Sequence, residues 1–398
     1  MDPDSKALIK ELKDAGLSDQ AIRAAWPSWW DDDAASSPSA RAELRFSLSR
    51  KLGLSPQSLL GERVEFVWQD DARFKNLTAG DAFQRGALAS FGVAVGRLLL
   101  RATPDVRPLG GIAASALRAA VLSNRRVVDL VGLLSACWGL GVPVVHLRVF
   151  PLRAKSMRAM VVEVDGRHAV LLGRDAVYPA PIAFTLAHEI GHAALGHVGG
   201  GKALVDVGDP SFGGEDREER EADAYGLELL TGSAEPPITT NTDNFSARGL
   251  AQACIEAGPP RGIEPGTLAL CVGYLRRDWI TANAALRHVY GERKPVWREV
   301  NALADRELRW QELGEESTHY LRTVMGADAS SENGRIPARH ARGAPARLST
   351  RKSHDRKGRP AAGRPFVLRG RRCSRLVVTL TNRTFSHDQQ TRVPGGIA

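Results

Sequence analysis

Two histidines and one glutamate carry the strongest chemical signal in this sequence. His188 and His192 are four residues apart, and Glu189 directly follows the first histidine. Side chains four positions apart lie on the same face of an α-helix, so both imidazoles could bind one metal ion. Glu189 could then act as the general base on a water molecule at that metal. The spacing therefore predicts the zinc-binding helix of a metallopeptidase.

A catalytic zinc site has three protein ligands, so a third ligand must come from elsewhere in the chain. The stretch Glu219-Arg-Glu-Ala-Asp223 offers carboxylates at helical spacing. Glu219 and Asp223 would share one helical face, which predicts Glu219 as the third ligand and Asp223 as a hydrogen-bond partner of a ligand imidazole. Glu221 would point about 160° away from Asp223, and it remains the substitute ligand if the helical register differs.

Two further side chains are candidates for the group that stabilises the oxyanion. A peptidase needs a donor that stabilises the oxyanion formed on the substrate carbonyl. Tyr178 and His197 lie near the histidine pair in sequence, and the choice between them stays open. A single histidine in the position of His197 is more often structural or packed, so it is left out of the catalytic residues.

The elements predicted around these residues define the fold class. Helical periodicity recurs over most of the chain up to Met325. Strand patterns occur over residues 142–150 and on both sides of Asp165-Gly166, a dipeptide that is a strong hairpin signal. The sequence predicts an α+β fold that is mostly helical, with a small antiparallel sheet packed against the HExxH helix.

Composition divides the chain into four predicted regions. Residues 1–75 form a helical module, and residues 76–236 form the zinc metallopeptidase domain. Residues 237–326 form a C-terminal helical region whose last helix spans 296–325, and residues 327–398 form a basic tail predicted to be disordered.

Part of the first region has a second interpretation. Residues 39–60 resemble the helix-turn-helix of Xre-type repressors. A plain helical or partner-binding module is the favoured interpretation, because any two short helices joined by glycine and serine share this pattern. Direct DNA binding remains an alternative.

The positive charge is concentrated in the tail. The chain has a formal net charge of +9, but 16 of its lysines and arginines lie from Arg335 onward, against two acidic residues, Asp355 and Asp388. The residues before the tail therefore carry a small net negative charge. The high isoelectric point is poor support for a DNA-binding body, although the tail could contact nucleic acid nonspecifically.

Three sequence features favour a soluble cytoplasmic protein. No charge-free apolar run approaches the ~18 residues of a membrane-spanning helix. The stretch Met1-Asp-Pro-Asp4 is acidic and lacks the apolar core of a secretory signal. The four cysteines are widely spaced and form no CxxC pair, which fits a reducing compartment. We expect a cytoplasmic location and no membrane partner.

Two stretches resemble the ImmA/IrrE family of zinc metallopeptidases. Residues 184–197 (Phe-Thr-Leu-Ala-His-Glu-Ile-Gly-His-Ala-Ala-Leu-Gly-His) resemble its metal-binding helix, and residues 219–230 (Glu-Arg-Glu-Ala-Asp-Ala-Tyr-Gly-Leu-Glu-Leu-Leu) resemble its second helix. The resemblance covers roughly residues 105–290. It implies that His188, His192 and Glu219 are zinc ligands and that Glu189 is the catalytic base.

The resemblance also implies a biological role. Members of this family resemble endopeptidases that cut a helix-turn-helix repressor and so relieve transcriptional repression, often in stress or mobile-element responses. The expected function is a zinc-dependent endopeptidase whose partner is a repressor protein. The alternative is a regulatory or antitoxin-like module that binds protein or DNA and has little peptidase activity. The oligomeric state stays open.

Overall fold

The computed structural model of the chain describes residues 2–55, 73–74, 82–106, 108–152, 157–198, 203–206, 217–326 and 376–380. Within these residues the chain is mostly helical with a small sheet, which confirms the predicted α+β class. Among them, no helix combines the length and the apolar composition that a membrane crossing requires.

The helices follow one another from the N-terminus to Met325. They are α1 (Pro3–Asp14), α2 (Asp19–Ala25), α3 (Asp32–Ser36), α4 (Pro38–Leu52), α5 (Ala82–Arg101), α6 (Ala114–Leu122), α7 (Leu130–Gly139), α8 (Pro179–Leu195), α9 (Arg217–Thr231), α10 (Ala247–Ala257), α11 (Pro265–Arg276), α12 (Trp279–Tyr290), α13 (Val296–Glu307) and α14 (Glu315–Met325). The strands are β1 (Arg73–Phe74), β2 (Val144–His146), β3 (Ala159–Val164), β4 (Arg167–Leu172), β5 (Ala203–Asp206), β6 (Ile238–Thr240) and β7 (Val378–Leu380).

The central sheet is mixed, whereas the sequence predicted an antiparallel one. Its strand order is β1-β5-β3-β4-β2. Strand β3 pairs antiparallel with β4 and β5, but β2 runs parallel to β4 and β1 runs parallel to β5. The outer strands can run parallel because they reach the sheet through connections longer than a hairpin turn.

The strand predicted over residues 142–150 is shorter in the structure. Strand β2 covers only Val144–His146. The backbone N–H groups of Arg148 and Val149 donate to the carbonyl of Val324, at 2.8 and 3.4 Å, so this part of the chain pairs with the end of α14 instead of with the sheet.

The hairpin of β3 and β4 turns at Asp165-Gly166, as predicted. Both residues have positive φ, 53° and 77°, as a two-residue type I′ turn requires. On β3, Met160 and Val162 belong to one hydrophobic core, and the alternate residue Val161 belongs to another. Both faces of the hairpin are therefore covered, and the sheet separates two cores.

The first core joins the N-terminal helices to the sheet. Leu48 of α4 packs in this core together with Phe91 of α5, Met160 of β3 and Tyr320 of α14. The predicted boundary at residue 75 thus lies between elements that share one core. Of the stretch compared with a helix-turn-helix, α4 forms the first part, and residues 56–60 lie outside the described residues.

A largely buried polar network ties α4 to α14. The Lys51 ammonium donates to the carbonyl of Ala25 at 3.1 Å and to Oε2 of Glu316 at 3.0 Å. The Tyr320 hydroxyl donates to the carbonyl of Lys51 at 2.6 Å. Burial lowers the pKa of Lys51, and Glu316 offsets part of that shift. These bonds hold the N-terminal helices against the last described helix.

The second core holds the helix that carries the histidine pair. Ile182, Leu186 and Ile190 recur at four-residue spacing on α8 and pack in the same core as Val161 and Val170 of the sheet. One face of α8 is thus fixed on the sheet, as the sequence predicted.

A third core lies under the C-terminal helices and includes a strand from the tail. Leu376, Val378 and Leu380 are buried in this core, and β7 pairs antiparallel with β6. The prediction of disorder over residues 327–398 is therefore wrong for residues 376–380. Their apolar side chains alternate, so a strand can bury all three on one face. The rest of the tail lies outside the described residues.

The helix predicted over residues 296–325 is interrupted. Helix α13 ends at Glu307, a 3-10 turn spans Trp310–Glu312, and α14 begins at Glu315. The backbone N–H of Arg309 donates to the carbonyl of Ala102 at 2.8 Å, so it cannot continue the helical ladder. A tertiary hydrogen bond therefore overrides the local helical pattern.

Asn301 of α13 joins buried backbone groups from two other segments. Its Nδ2 donates to the carbonyls of His146 and Met325 at 2.8 and 2.7 Å, and its Oδ1 accepts from the His146 N–H at 2.7 Å. We expect Asn301→Ala to lower the free energy of unfolding by about 2–4 kcal/mol, because buried polar groups lose their partner. Urea denaturation of the full chain measures this. The control Asn283→Ala removes one exposed hydrogen bond to Trp279, and equal stability of both variants would contradict the prediction.

Candidate metal centre

Helices α8 and α9 approach each other closely at small residues. A Cβ atom added to Gly191 would lie 2.9 Å from the carbonyl oxygen of Ala222. A Cβ atom added to Gly226 would lie 3.3 Å from the carbonyl carbon of Ala187 and from the backbone nitrogen of His188. The two backbones are therefore in contact, and the second and third turns of α9 cross α8 between Ala187 and Gly191.

The three predicted ligands meet at this crossing. The Nε2 atom of His192 lies 3.0 Å from Oε1 of Glu219 and 3.0 Å from Nε2 of His188. The Nε2 atom of His188 lies 3.4 Å from Oε2 of Glu219. One donor atom of each residue lies within 4.8 Å of the others. His188, His192 and Glu219 thus form a group that could hold a metal ion.

The chemistry of this group fits a divalent cation. His192 is 1% exposed, and the side chain of Glu219 is 17% exposed. A largely buried carboxylate needs a positive partner, and a cation bound to the three donor atoms would provide one. Two imidazole nitrogens and one carboxylate oxygen are also ligands that catalytic metal sites use.

Asp223 supports His188, in the position that the helical spacing predicts. Its Oδ1 atom lies 2.8 Å from Nδ1 of His188, while Nε2 of the same ring faces Glu219. When His188 offers Nε2 to a cation, its Nδ1 carries the proton, and this N–H donates a hydrogen bond to the Asp223 carboxylate. This hydrogen bond orients the ring.

His197 contacts His192, a role that the sequence analysis did not assign. Their Nδ1 atoms lie 2.9 Å apart, and Nε2 of His197 lies 3.2 Å from Oε2 of Glu221. Glu221 therefore faces His197, and Glu219 is the carboxylate that lies at the metal group. Gly196 was the sequence signal for this contact, because glycine after a helix predicts a turn that folds the next residue back over the last turn.

Glu221 also interacts with Arg217, one turn earlier on α9. The Nε–H of Arg217 donates to Oε1 of Glu221 at 2.6 Å. This hydrogen bond lowers the pKa of Glu221, with a smaller contribution from His197. The carboxyl group is therefore ionised at neutral pH and can only accept hydrogen bonds.

Glu189 and Tyr178 lie at different distances from the metal group along α8. Glu189 directly follows His188 and is buried, with 1% of its surface exposed. Tyr178 is the N-cap residue of α8 and stacks on Tyr290, with 5.5 Å between ring centroids. Ten helical positions separate Tyr178 from His188, a distance of about 15 Å along the axis. Tyr178 is therefore too far away to serve as the oxyanion donor.

Nucleophilic cysteine chemistry does not fit the described cysteines. Burial raises the pKa of the Cys137 and Cys271 thiols to about 12, and it raises the pKa of Cys254 as well. These thiols are protonated at neutral pH, whereas a cysteine nucleophile acts as the thiolate.

Comparisons of the chain with models of known protein families, with curated proteins and with solved structures found no match. What can be inferred about function therefore comes from the geometry of the site and from the two sequence motifs.

Glu219 provides the first test of the metal group. We expect Glu219→Gln to lower Zn²⁺ affinity by more than the roughly 10–100-fold that loss of a supporting residue costs, because a charged ligand is removed. Competition with a fluorescent chelator measures the affinity. The matched control is Glu228→Gln on the same helix, which should bind Zn²⁺ as the wild type does. Equal affinities of the two variants would exclude Glu219 as a ligand.

Gly191 provides a test of the helix crossing. We expect Gly191→Ala to lower the free energy of unfolding by about 1–3 kcal/mol, because the new methyl group must push the Ala222 backbone away. The same displacement moves Glu219 and should weaken Zn²⁺ binding. The control Gly139→Ala adds a methyl group at a helical position where, outside the helix's own backbone, the new Cβ atom would meet no described atom within 4 Å. Unchanged stability and affinity in Gly191→Ala would show that the close approach is dispensable.

Proposed function

We propose that this chain is a zinc-dependent endopeptidase acting on a protein substrate. The observation that carries the proposal is the position of Glu219, which comes from a separate helix and lies beside Nε2 of both His188 and His192. A histidine pair alone is compatible with a buried structural helix. A third donor directed at the same point is the arrangement that catalytic zinc sites use, and it leaves one coordination position for water or substrate.

The residues around the group have complementary tasks in peptide hydrolysis. Zinc, when bound, would polarise the substrate carbonyl and lower the pKa of water. Glu189 would accept a proton from the attacking water and deliver it to the nitrogen of the departing amine. The carbonyl carbon gains the water oxygen and the C–N bond breaks, so the products are a carboxylic acid and an amine. Asp223 would hold the ring of His188 in its binding orientation.

The proposed substrate is a helix-turn-helix transcriptional repressor. Support for this substrate class comes from the resemblance of residues 184–197 and 219–230 to the ImmA/IrrE family. Cleavage would inactivate the repressor and so raise transcription of the genes it controls. A cytoplasmic location belongs to the same proposal, because a repressor acts on DNA in that compartment.

Glu189 separates hydrolysis from metal binding. We expect Glu189→Gln to reduce peptide-bond hydrolysis by about 10²- to 10⁴-fold, because the amide cannot accept the proton from water. Its Zn²⁺ affinity should stay close to that of the wild type, because Glu189 is not a ligand. Sequencing of new protein N-termini in cells that produce the wild type or Glu189→Gln identifies the substrate. Cleavage of the purified substrate by the full chain then measures the rate.

Two outcomes would contradict the proposal. Derepression that survives in Glu189→Gln would mean that the chain regulates by binding, as an antitoxin-like or regulatory module does. Equal cleavage by wild type and Glu189→Gln would show that another group is the base. The control Glu228→Gln should cleave at the wild-type rate, because Glu228 lies nine residues beyond Glu219 on α9 and outside the metal group.

A further inference from the structure

We propose that His197 is a positioning residue that fixes the ring and the proton of His192, and that Glu221 fixes His197 in turn. This inference deepens the proposed function and rests on it, because it concerns metal binding at the same site. Three observations support it: the turn that ends α8, the atoms that face each other along the chain of hydrogen bonds, and the burial of the two rings.

The turn at the end of α8 places His197 over His192. Gly196 has a φ of 74°, and its backbone N–H donates a hydrogen bond to the carbonyl of Ala193, with an N···O distance of 3.4 Å. The N–H of His197 bonds the carbonyl of His192 at 3.0 Å. These two bonds define a Schellman motif, in which the chain reverses over the last helical turn. The same two residues are therefore joined by a backbone bond and by the side-chain contact of 2.9 Å.

The atoms in this contact allow only one arrangement of protons when His192 binds a cation. His192 would offer Nε2, so its Nδ1 carries the proton and must donate. The Nδ1 atom of His197 is then the acceptor, and the His197 proton lies on Nε2. This Nε2–H donates a hydrogen bond to Oε2 of Glu221, which as a carboxylate only accepts. Each ring is thus held in the tautomer that metal binding needs.

Because of burial, the contact between His192 and His197 should matter most in this series of hydrogen bonds. The side chains of His192 and His197 are 1% and 7% exposed, so water cannot readily replace their contact. The side chain of Glu221 is 39% exposed, and that of Arg217 is 84% exposed. An exposed ion pair contributes little, because solvent screens it. Loss of His197 should therefore weaken metal binding most, loss of Glu221 less, and loss of Arg217 least.

The two ligand histidines are supported differently. His188 donates directly to Asp223, whose side chain is 57% exposed. On the Nδ1 side, His192 faces the buried imidazole of His197, which in turn faces the Glu221 carboxylate. His197 therefore accepts a hydrogen bond from His192, as the Asp223 carboxylate on α9 does from His188. Removal of the His197 ring would leave the buried Nδ1–H of His192 without this acceptor.

Substitutions of His197 distinguish hydrogen bonding from packing. His197→Phe keeps a ring of similar size but removes the acceptor, and we expect Zn²⁺ affinity to fall by about 10–100-fold. His197→Asn is smaller, yet its Oδ1 can accept from His192 near the position of the lost Nδ1, so it should recover part of the affinity. Packing alone would give the opposite order, because Phe resembles the original ring more closely.

Glu221→Gln tests the next bond. Arg217 donates to one atom of this group, so it would hold the amide oxygen and leave the NH₂ group facing His197. The His197 proton would then be driven to Nδ1, where it opposes the proton on His192. We expect a loss of Zn²⁺ affinity smaller than that of His197→Phe. Glu228→Gln is the matched control and should bind as the wild type does.

The experiment measures Zn²⁺ affinity by chelator competition, together with the visible absorption of the Co²⁺-substituted chain. A His197→Phe affinity within about twofold of the wild type, or a higher affinity for Phe than for Asn, overturns the inference. If His197→Phe does not fold, ¹⁵N NMR of the zinc-loaded wild type decides: protonated Nδ1 on His192 and unprotonated Nδ1 on His197 are expected, and the reverse overturns the inference. A wild-type chain that binds no Zn²⁺ would instead remove the proposed function, and this inference with it.

Discussion

Helices α8 and α9 bring a carboxylate to two imidazoles because small residues lie between them. The distance between packed helices depends on the side chains at their contact. Gly191 of α8 lies against the backbone of Ala222, and Gly226 of α9 lies against that of Ala187. A larger side chain at either glycine would move α9 outward and carry Glu219 away from the histidines. Residues that bind nothing therefore decide whether the three donor atoms can meet.

The sheet holds one face of α8 in place, while another face of this helix carries the two histidines of the metal group. Ile182, Leu186 and Ile190 bind α8 into the second core, and that core covers one face of the β3–β4 hairpin. The opposite face of the hairpin is covered by the first core, to which the N-terminal helices and α14 contribute. A helix supported in this way keeps its side chains in fixed positions, which metal ligands require. The N-terminal helices thus contribute to the site indirectly, by packing behind the sheet.

Local sequence signals predicted the parts of the structure that depend on neighbouring residues. Asp165-Gly166 predicted the hairpin turn because only a few dipeptides accept positive φ at both positions. Helical periodicity predicted that His188 and His192 share one face of α8 and that Glu219 and Asp223 share one face of α9. The need of a catalytic zinc site for a third ligand suggested that the two pairs meet.

The features that sequence alone missed depend on partners far away in the chain. The bond between Arg309 and Ala102 interrupts a helix that its own residues favour. The contact of Val324 with Arg148 and Val149 shortens β2. His197 shows a third case, because its role depends on Glu221, which lies on another helix. Periodicity carries no information about such pairs, since each of them joins separate elements.

The last described strand, β7, resembles a bound peptide, because it adds to the edge of β6 and buries its side chains against the C-terminal helices. Two strands of three residues are too short to be stable alone, so β7 is held chiefly by Leu376, Val378 and Leu380 in the third core. A protease cut between residues 326 and 376 would leave β7 attached by these apolar contacts and by its hydrogen bonds to β6 and Asn241. Its dissociation would expose an unpaired strand edge together with an apolar surface, a combination that favours association between copies of a chain. Strand β7 therefore covers apolar surface of the C-terminal helices that its departure would expose to solvent.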